Sequence, residues 1–125
     1  MSFIDPRRLI KSFKYAFRGF WFVFKSEQNI RIHLLASVLV VIFIVYFRVE
    51  LWQAIILLLV MGFVLILELI NTVFEKMVDI LRPRIHYYAQ VIKDIMAAAV
   101  LVSSIGAVVI GVLIFAPYIW EMFAG

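Results

Sequence analysis

Four residues that could do chemistry follow one another at helical spacing near the middle of the chain. Glu68, Asn71, Glu75 and Asp79 are separated by three, four and four residues. At about 100° per residue they lie on one face of a helix, which we call the acidic face. Its three carboxylates repel one another, and Lys76 lies on another side of the helix. Mg²⁺ favours a few carboxylates together with substrate phosphates, so the spacing predicts a site for a divalent cation.

A solvated helix end is the plainer interpretation of such a face, and Asp79 alone fits it equally well. Glu68 does not, because it directly follows seventeen uncharged residues (51 to 67), and an acid at the end of an apolar span is costly. The chain has neither a GxxxxGK[ST] loop nor a Gly-rich kinase loop. His33 and His86 are too few and too far from other ligand types for zinc. Metal-assisted phosphoryl transfer fits the groups that are available.

Composition predicts a single small membrane domain. The chain has 125 residues, of which 66% are hydrophobic, and a mean hydropathy of +1.10. A soluble domain of this size has too little interior to hide that much apolar surface. The basic sequence pI of 9.6 indicates contact with an anionic membrane leaflet rather than with nucleic acid, because the cations flank apolar segments. We expect neither a disulfide framework nor a cleavable signal peptide.

The elements that must position the acidic face are helices throughout. Residues 6–26 predict an amphipathic surface helix, with Asp5 as N-cap, Pro6 at the first position and basic residues opposite aromatic ones. Residues 32–47 predict a first span, and residues 51–79 a second span with a cytosolic extension. We expect a polar cytosolic loop over 80–92, because Pro83 should stop the helix. Residues 93–116 predict a third span whose small residues permit close packing.

Charge asymmetry predicts the orientation of these spans. Eleven of the twelve Lys and Arg residues fall on the side of the N-terminus and the 80–92 segment, and only Arg48 falls on the other. The positive-inside rule then puts the N-terminus and the acidic face in the cytosol and the C-terminus outside. We expect a multi-pass membrane protein with its chemistry at the cytosolic interface.

Three blocks of sequence resemble a known family. Glu68-Leu-Ile-Asn71-Thr72-Val-Phe-Glu75-Lys-Met-Val-Asp79 is similar to the signature of the small prokaryotic diacylglycerol kinases, which include the undecaprenol kinases. The stretch from Glu27 to His33 and the stretch that begins with Lys93 and Asp94 resemble the segments before the first and third spans. The resemblance covers nearly the whole chain. It departs at Arg84 and Ile85, where the family usually carries an acidic residue and Tyr, and at the bulky Val73 and Phe74.

The resemblance implies an ATP- and Mg²⁺-dependent lipid kinase. It also implies a homotrimeric bundle with three spans and a surface helix per chain, and active sites between subunits. By motif, Glu68 would be the general base on the lipid hydroxyl, and Glu27 and Glu75 would hold Mg²⁺. Arg31 and His33 would contact the lipid together with Glu68. The residues implied at the nucleotide are Arg8, Lys11, Tyr15, Asn71, Asp79, His86, Lys93 and Asp94.

The lipid itself is less sharply defined. Ile32 and His33 resemble the Gram-positive-type branch, whose members are similar to undecaprenol kinases, whereas the diacylglycerol-specific branch usually carries Gln-Glu there. Undecaprenol is therefore the favoured substrate, and diacylglycerol, giving phosphatidic acid, is the alternative. A more distant alternative is a non-catalytic assembly protein whose acidic face binds a cation or a basic helix. Such a protein would tolerate Glu68→Gln and Glu75→Gln.

Overall fold

The computed structural model describes residues 3–125, and all of its regular structure is helical. The helices are α1 (Pro6–Ser26), α2 (Gln28–Phe47) and α3 (Leu51–Ala124). Both α2 and α3 are long and apolar enough to cross a membrane. Most of their large apolar side chains are exposed rather than buried in a core. An apolar surface of this extent needs lipid or further protein as its solvent, so the predicted all-α integral membrane class holds.

Helix α1 is built as an amphipathic element. The Asp5 side chain caps it by accepting a hydrogen bond from the backbone N–H of Arg7 at 3.0 Å, and Pro6 occupies the first turn. The helix ends at Glu27, whose extended backbone (φ −117°, ψ 118°) starts a new direction for α2. Only Val23 of this helix is buried. The rest of α1 therefore offers its basic and aromatic faces to the surroundings.

A tight connection joins α2 to α3. Arg48 adopts the left-handed conformation (φ 51°, ψ 51°), and its backbone N–H bonds the Ile44 carbonyl. Glu50 then opens α3 with a capping box, in which the Gln53 side chain accepts from the Glu50 backbone N–H at 3.1 Å. A reversal this short leaves α2 and the start of α3 as antiparallel neighbours.

Helix α3 folds back on itself at a single non-helical residue. Ile85 has φ −115° and ψ 25°, and Pro83 precedes it by two residues. The Tyr118 hydroxyl bonds Gln53 Oε1, 65 residues away. In a straight helix those residues would stand about 98 Å apart. The helix therefore forms two antiparallel arms, a first arm (residues 51–84) and a second arm (residues 86–124).

The prediction of a polar loop over 80–92 is wrong. All residues from 80 to 92 lie within α3, and the reversal is confined to Ile85. Proline removes one backbone donor and clashes with the preceding turn, and this disruption falls next to the break. It does not require the flanking residues to leave the helical conformation. The polar character of the segment reflects its place at the end of the arms rather than a loop.

Aromatic packing holds the three helical segments together at the end near Arg48. Leu57 of the first arm packs with Ile114 and Phe115 of the second. The Phe43 ring of α2 meets Phe115 edge to face, with ring centroids 5.5 Å apart. Phe47 joins the same cluster. Since the C-terminal end of α3 packs here, the chain terminus lies at the end opposite the acidic face.

Candidate active site

The buried polar residues of the described chain gather in one turn of the first arm. Glu68, Asn71 and Thr72 are 2%, 9% and 3% exposed, directly after the uncharged run of residues 51–67. The Thr72 hydroxyl donates to the Glu68 carbonyl oxygen at 3.1 Å, which satisfies it within the helix. Glu68 and Asn71 are thus left as the buried groups that can reach beyond their own helix.

Glu68 is bonded across the helix interface to His33. The two residues are 35 positions apart, and His33 Nε2 lies 3.1 Å from Glu68 Oε1. The Glu68 side chain is 3% exposed and the His33 side chain 24% exposed. The family resemblance implies that both residues contact the lipid. Their contact joins the end of the apolar run in α3 to the start of the apolar part of α2.

Asn71 has one hydrogen-bonding atom in use and one without a partner. Its Nδ2 donates to Glu75 Oε1 at 3.5 Å, one turn further along the acidic face. Its Oδ1 is buried, and no residue from 3 to 125 donates a hydrogen bond to it. Buried polar atoms in proteins are nearly always paired, so this oxygen is of the kind that a ligand completes. This contact lies on the helical face that the spacing of these residues predicted.

The oxygen donors around Glu68 fit a hard cation. Glu27, at the junction of α1 and α2, and Glu75 both lie near enough for their charges to act on Glu68. Within residues 3–125, no group of three or more His, Asp or Glu side chains is gathered as a metal site. Mg²⁺ does not need one, because it commonly takes one or two carboxylates and completes its shell with phosphates and water. Carboxylates and the Asn71 amide oxygen suit that ion.

The last member of the acidic face bridges the two arms of α3. Lys93 Nζ lies 2.7 Å from Asp79 Oδ1, and the two residues flank the break at Ile85. This hydrogen bond, helped by the positive charge of Lys93, holds the pKa of Asp79 below its ordinary value of 3.8. Asp94 accepts from Gln90 Nε2 at 2.9 Å one turn before it on the second arm. Asp79, Lys93 and Asp94 therefore line the end of the hairpin.

Other predicted site residues remain outside this cluster. Tyr15 is exposed and carries Arg18 over its ring at 5.7 Å. Along the described 3–125 stretch, no hydrogen bond or ion pair links the acidic face to the predicted residues of α1, to Arg31 or to His86. The link from α1 to the first arm is instead Lys76 Nζ, 6.0 Å from the centre of the Phe22 ring. The predicted site residues that lie outside the cluster are all exposed, and they are Arg8, Lys11, Tyr15, Arg31 and His86.

An apolar cavity that sequence reasoning missed begins beside His33. It has a volume of about 370 Å³ and lies between α2 and both arms of α3. Its wall is mainly aliphatic, with His33, Ser37 and Ser104 as the polar members. Ser104 Oγ is buried, and it forms no hydrogen bond with any residue from 3 to 125. Sequence indicated only that Ser104 and Gly111 permit close helix packing, whereas both line the cavity.

Comparison with known proteins shows the family to which the chain belongs. Residues 14–115 match the family described as prokaryotic diacylglycerol kinase. The chain is 38% identical over 115 residues to an undecaprenol kinase of Bacillus subtilis, covering 90% of this chain and 92% of that protein. It is 36% identical over 110 residues to a diacylglycerol kinase of Synechocystis, covering 87% of this chain and 63% of that protein. The chain therefore belongs to the prokaryotic diacylglycerol kinase family and is a lipid kinase.

Proposed function

We propose that this protein transfers the γ-phosphoryl group of ATP to the hydroxyl of a membrane lipid, with undecaprenol as the principal substrate. The observation that supports this most directly is the buried Glu68 carboxylate, which is hydrogen-bonded to His33, a residue that lines an apolar cavity. An apolar tail could occupy the cavity while its hydroxyl approaches the carboxylate. A general base has to lie within hydrogen-bond reach of the proton it removes.

In the proposed reaction Glu68 removes the proton of the lipid hydroxyl. The hydroxyl oxygen forms a bond to the γ-phosphorus while the bond from that phosphorus to the β–γ bridging oxygen breaks, and ADP leaves. Mg²⁺, when bound, would neutralise charge on the phosphates. Glu27, Glu75 and the Asn71 amide oxygen would hold it. Positioning and electrostatic stabilisation supply most of the catalysis in phosphoryl transfer, which suits a site made of charged groups.

The nucleotide would lie along the acidic face toward the end of the hairpin. Asp79 and Lys93 span the two arms there at 2.7 Å, and Lys93 could turn to a phosphate when ATP binds. Asp94 lies one residue further on the second arm. We propose the following residues for nucleotide binding: Arg8, Lys11, Tyr15, Asn71, Asp79, His86, Lys93 and Asp94.

We propose that the functional unit is a homotrimer with active sites between subunits and three membrane spans per chain. Within the part of one chain that the structure describes, the exposed cations of α1 make no hydrogen bond or ion pair with Glu68. A neighbouring copy could bring them to the phosphates. The broad exposed apolar faces of α2 and α3 support association of helices in the bilayer. In the proposed orientation α1 and the Ile85 break face the cytosol of a bacterium, and the C-terminus faces outside.

The choice of undecaprenol rests on two supports. His33 and the preceding Ile32 match the Gram-positive-type pattern, and the undecaprenol kinase relative is covered over 92% of its length against 63% for the diacylglycerol kinase. Diacylglycerol remains the second candidate, because its hydroxyl could reach the same carboxylate. A cavity of mainly aliphatic lining accepts either tail.

The test is phosphate transfer from labelled ATP by the purified protein in mixed micelles containing Mg²⁺. Undecaprenol and diacylglycerol are offered in parallel, and Glu68→Gln and Glu75→Gln serve as matched isosteric variants. Transfer to undecaprenol that is lost in both variants supports the proposal. Preference for diacylglycerol keeps the mechanism and changes the lipid. A folded protein that transfers to neither lipid would instead be a membrane assembly component.

A further inference from the structure

The hydrogen bond between His33 and Glu68 carries a consequence beyond the roles assigned above. An ionised carboxylate offers only acceptors, so the atom that faces Glu68 Oε1 at 3.1 Å must bring the hydrogen. A carboxylate must be ionised before it can take a proton, so the proposed role of Glu68 requires His33 Nε2 to be the donor. One carboxylate oxygen is tied to His33, and the other remains for the substrate.

We propose that His33 is a positioning residue, which holds the Glu68 carboxylate with Oε2 directed at the lipid hydroxyl. This inference rests on the proposed function, because it needs Glu68 to act as the base. It goes further by giving His33 a task through Glu68 rather than a contact with the lipid alone. His33 would affect the chemical step more than the binding of either substrate.

Three features of the surroundings support a fixed orientation of His33. Its backbone carbonyl accepts from the Ser37 hydroxyl at 2.8 Å, four residues later on α2. The side chain lines the apolar cavity, whose mainly aliphatic wall offers few other hydrogen-bond partners that could replace Glu68. It is 24% exposed, whereas Glu68 is 3% exposed, so the carboxylate has little water to replace a lost partner.

Without His33, the Glu68 side chain would have no cross-helix hydrogen bond to any of the described residues 3–125. The Thr72 hydroxyl does not fix the Glu68 carboxylate, because it donates to the Glu68 backbone carbonyl and not to the side chain. Glu27 and Glu75 act on it with like charge, so neither of them holds the carboxylate in place. A carboxylate free to rotate about its side-chain bonds would seldom stand in a reactive geometry. A misplacement of about 1 Å can cost about 100-fold in rate.

The test uses two substitutions of equal length, His33→Gln and His33→Met. Both residues favour helix, but only glutamine retains an N–H donor at the end of its side chain. Tyr46→Phe is the control, because it removes a side-chain contact from α2 to Met122, 3.9 Å away at the far end of the bundle. All variants are assayed as full-length protein in mixed micelles with ATP, Mg²⁺ and undecaprenol, after circular dichroism has established folding.

We expect His33→Met to lower kcat by about 10- to 100-fold with less than about a twofold change in either KM. His33→Gln should recover kcat to within about fivefold of the original chain, and Tyr46→Phe should match it. A rise in the KM for lipid at unchanged kcat would overturn the inference and make His33 a lipid contact. Failure of folded His33→Gln to recover activity, or full activity in His33→Met, would overturn it too.

The protonation of His33 Nε2 can also be measured directly in the wild-type protein, without a substitution at position 33. In histidine labelled with ¹⁵N, the Nε2 resonance of His33 should have the shift of a protonated nitrogen, and Glu68→Gln should change it. His86→Gln identifies the second histidine. A bare Nε2 would overturn the donor assignment. If the unaltered protein transfers phosphate to no lipid, the proposed function fails first; if it transfers and His33→Met is unimpaired, only this inference fails.

Discussion

Replacing Asn71 by leucine should make the protein more stable while it loses activity. Leucine has nearly the shape of asparagine but no polar atoms. In the structure Asn71 is 9% exposed, its Oδ1 has no partner, and its Nδ2 makes one long bond of 3.5 Å to Glu75. The substitution therefore removes an unsatisfied acceptor and sacrifices little bonding.

The magnitude follows from these two contributions. A buried acceptor without a partner costs about 1–3 kcal/mol, and a normal hydrogen bond contributes about 0.5–1.5 kcal/mol. The Asn71–Glu75 bond is at the outer limit of length, and Glu75 is partly exposed and can turn to water. Leucine also favours helix over asparagine by a few tenths of a kcal/mol. We expect a net gain of about 1–2 kcal/mol in the free energy of unfolding.

Activity should change in the opposite direction. If Asn71 Oδ1 binds the cation or the nucleotide, its loss removes an interaction with a charged group worth about 1.5–3 kcal/mol, or about 10- to 100-fold in kcat/KM for ATP. Unfolding in a mixed-micelle denaturant titration and phosphate transfer from labelled ATP measure the two effects. Binding of Mg²⁺-ATP should raise the unfolding midpoint of the original chain and not that of Asn71→Leu.

Thr72→Val is the matched comparison for this substitution. The Thr72 hydroxyl is equally buried but satisfied at 3.1 Å by the Glu68 carbonyl, so its removal should cost stability, by about 0.5–1.5 kcal/mol. The reasoning is refuted if Asn71→Leu destabilises the protein by more than Thr72→Val does. It is refuted equally if Asn71→Leu keeps full activity, because the unpartnered oxygen would then have no ligand to bind.

Three further substitutions test separate parts of the structure. Glu68→Gln should lower kcat by about 10²- to 10⁴-fold, the usual contribution of a general base, while its amide oxygen still accepts from His33 and keeps the fold; activity within tenfold in the transfer assay would contradict this. Asp79→Asn should lower the unfolding midpoint at neutral pH by removing the negative charge that pairs with Lys93. Because the folded pKa of Asp79 lies below its ordinary 3.8, the difference should persist above that pH and vanish as pH falls through the folded pKa. Unfolding titrations across pH, with high salt as a second variable, check the sign. Arg48→Gly should stabilise the turn by about 1 kcal/mol, since a left-handed residue with a Cβ is strained there; an unchanged or lower midpoint in the same titration would count against that strain.

Periodicity predicted the helix that carries the acidic face, because three- and four-residue intervals report directly on one helix. It predicted equally that Asn71 and Glu75 would be neighbours. It could not predict that His33 bonds Glu68. That contact depends on how α2 is rotated about its own axis relative to α3. The spacing of residues along the sequence gives no information about this rotation. Resemblance assigned both residues to the lipid side of the site, and their direct bond is the structure's addition.

The segment around Pro83 shows a different limit. Proline was a sound indicator of where the chain reverses, since the break falls two residues later at Ile85. The expectation of a loop failed because the backbone needs only one non-helical residue to redirect two long arms. The partner of Asp79 was likewise missed: Lys93 lies fourteen positions away, and only the reversal brings the two within 2.7 Å.

The fold-back at Ile85 also bears on how the enzyme is made. The chain grows from its N-terminus, so α2 and the first arm are complete before the second arm exists. His33 and Glu68 can therefore meet early, with only the short Arg48 connection between their helices. The cavity needs residues of the second arm, including Ser104, and closes last. In the proposed mechanism, Glu68 and His33 would thus come together before the cavity is complete, and phosphate transfer to a lipid would await completion of the chain. Cross-linking between positions 33 and 68 in ribosome-arrested chains of increasing length would reveal this order of biogenesis.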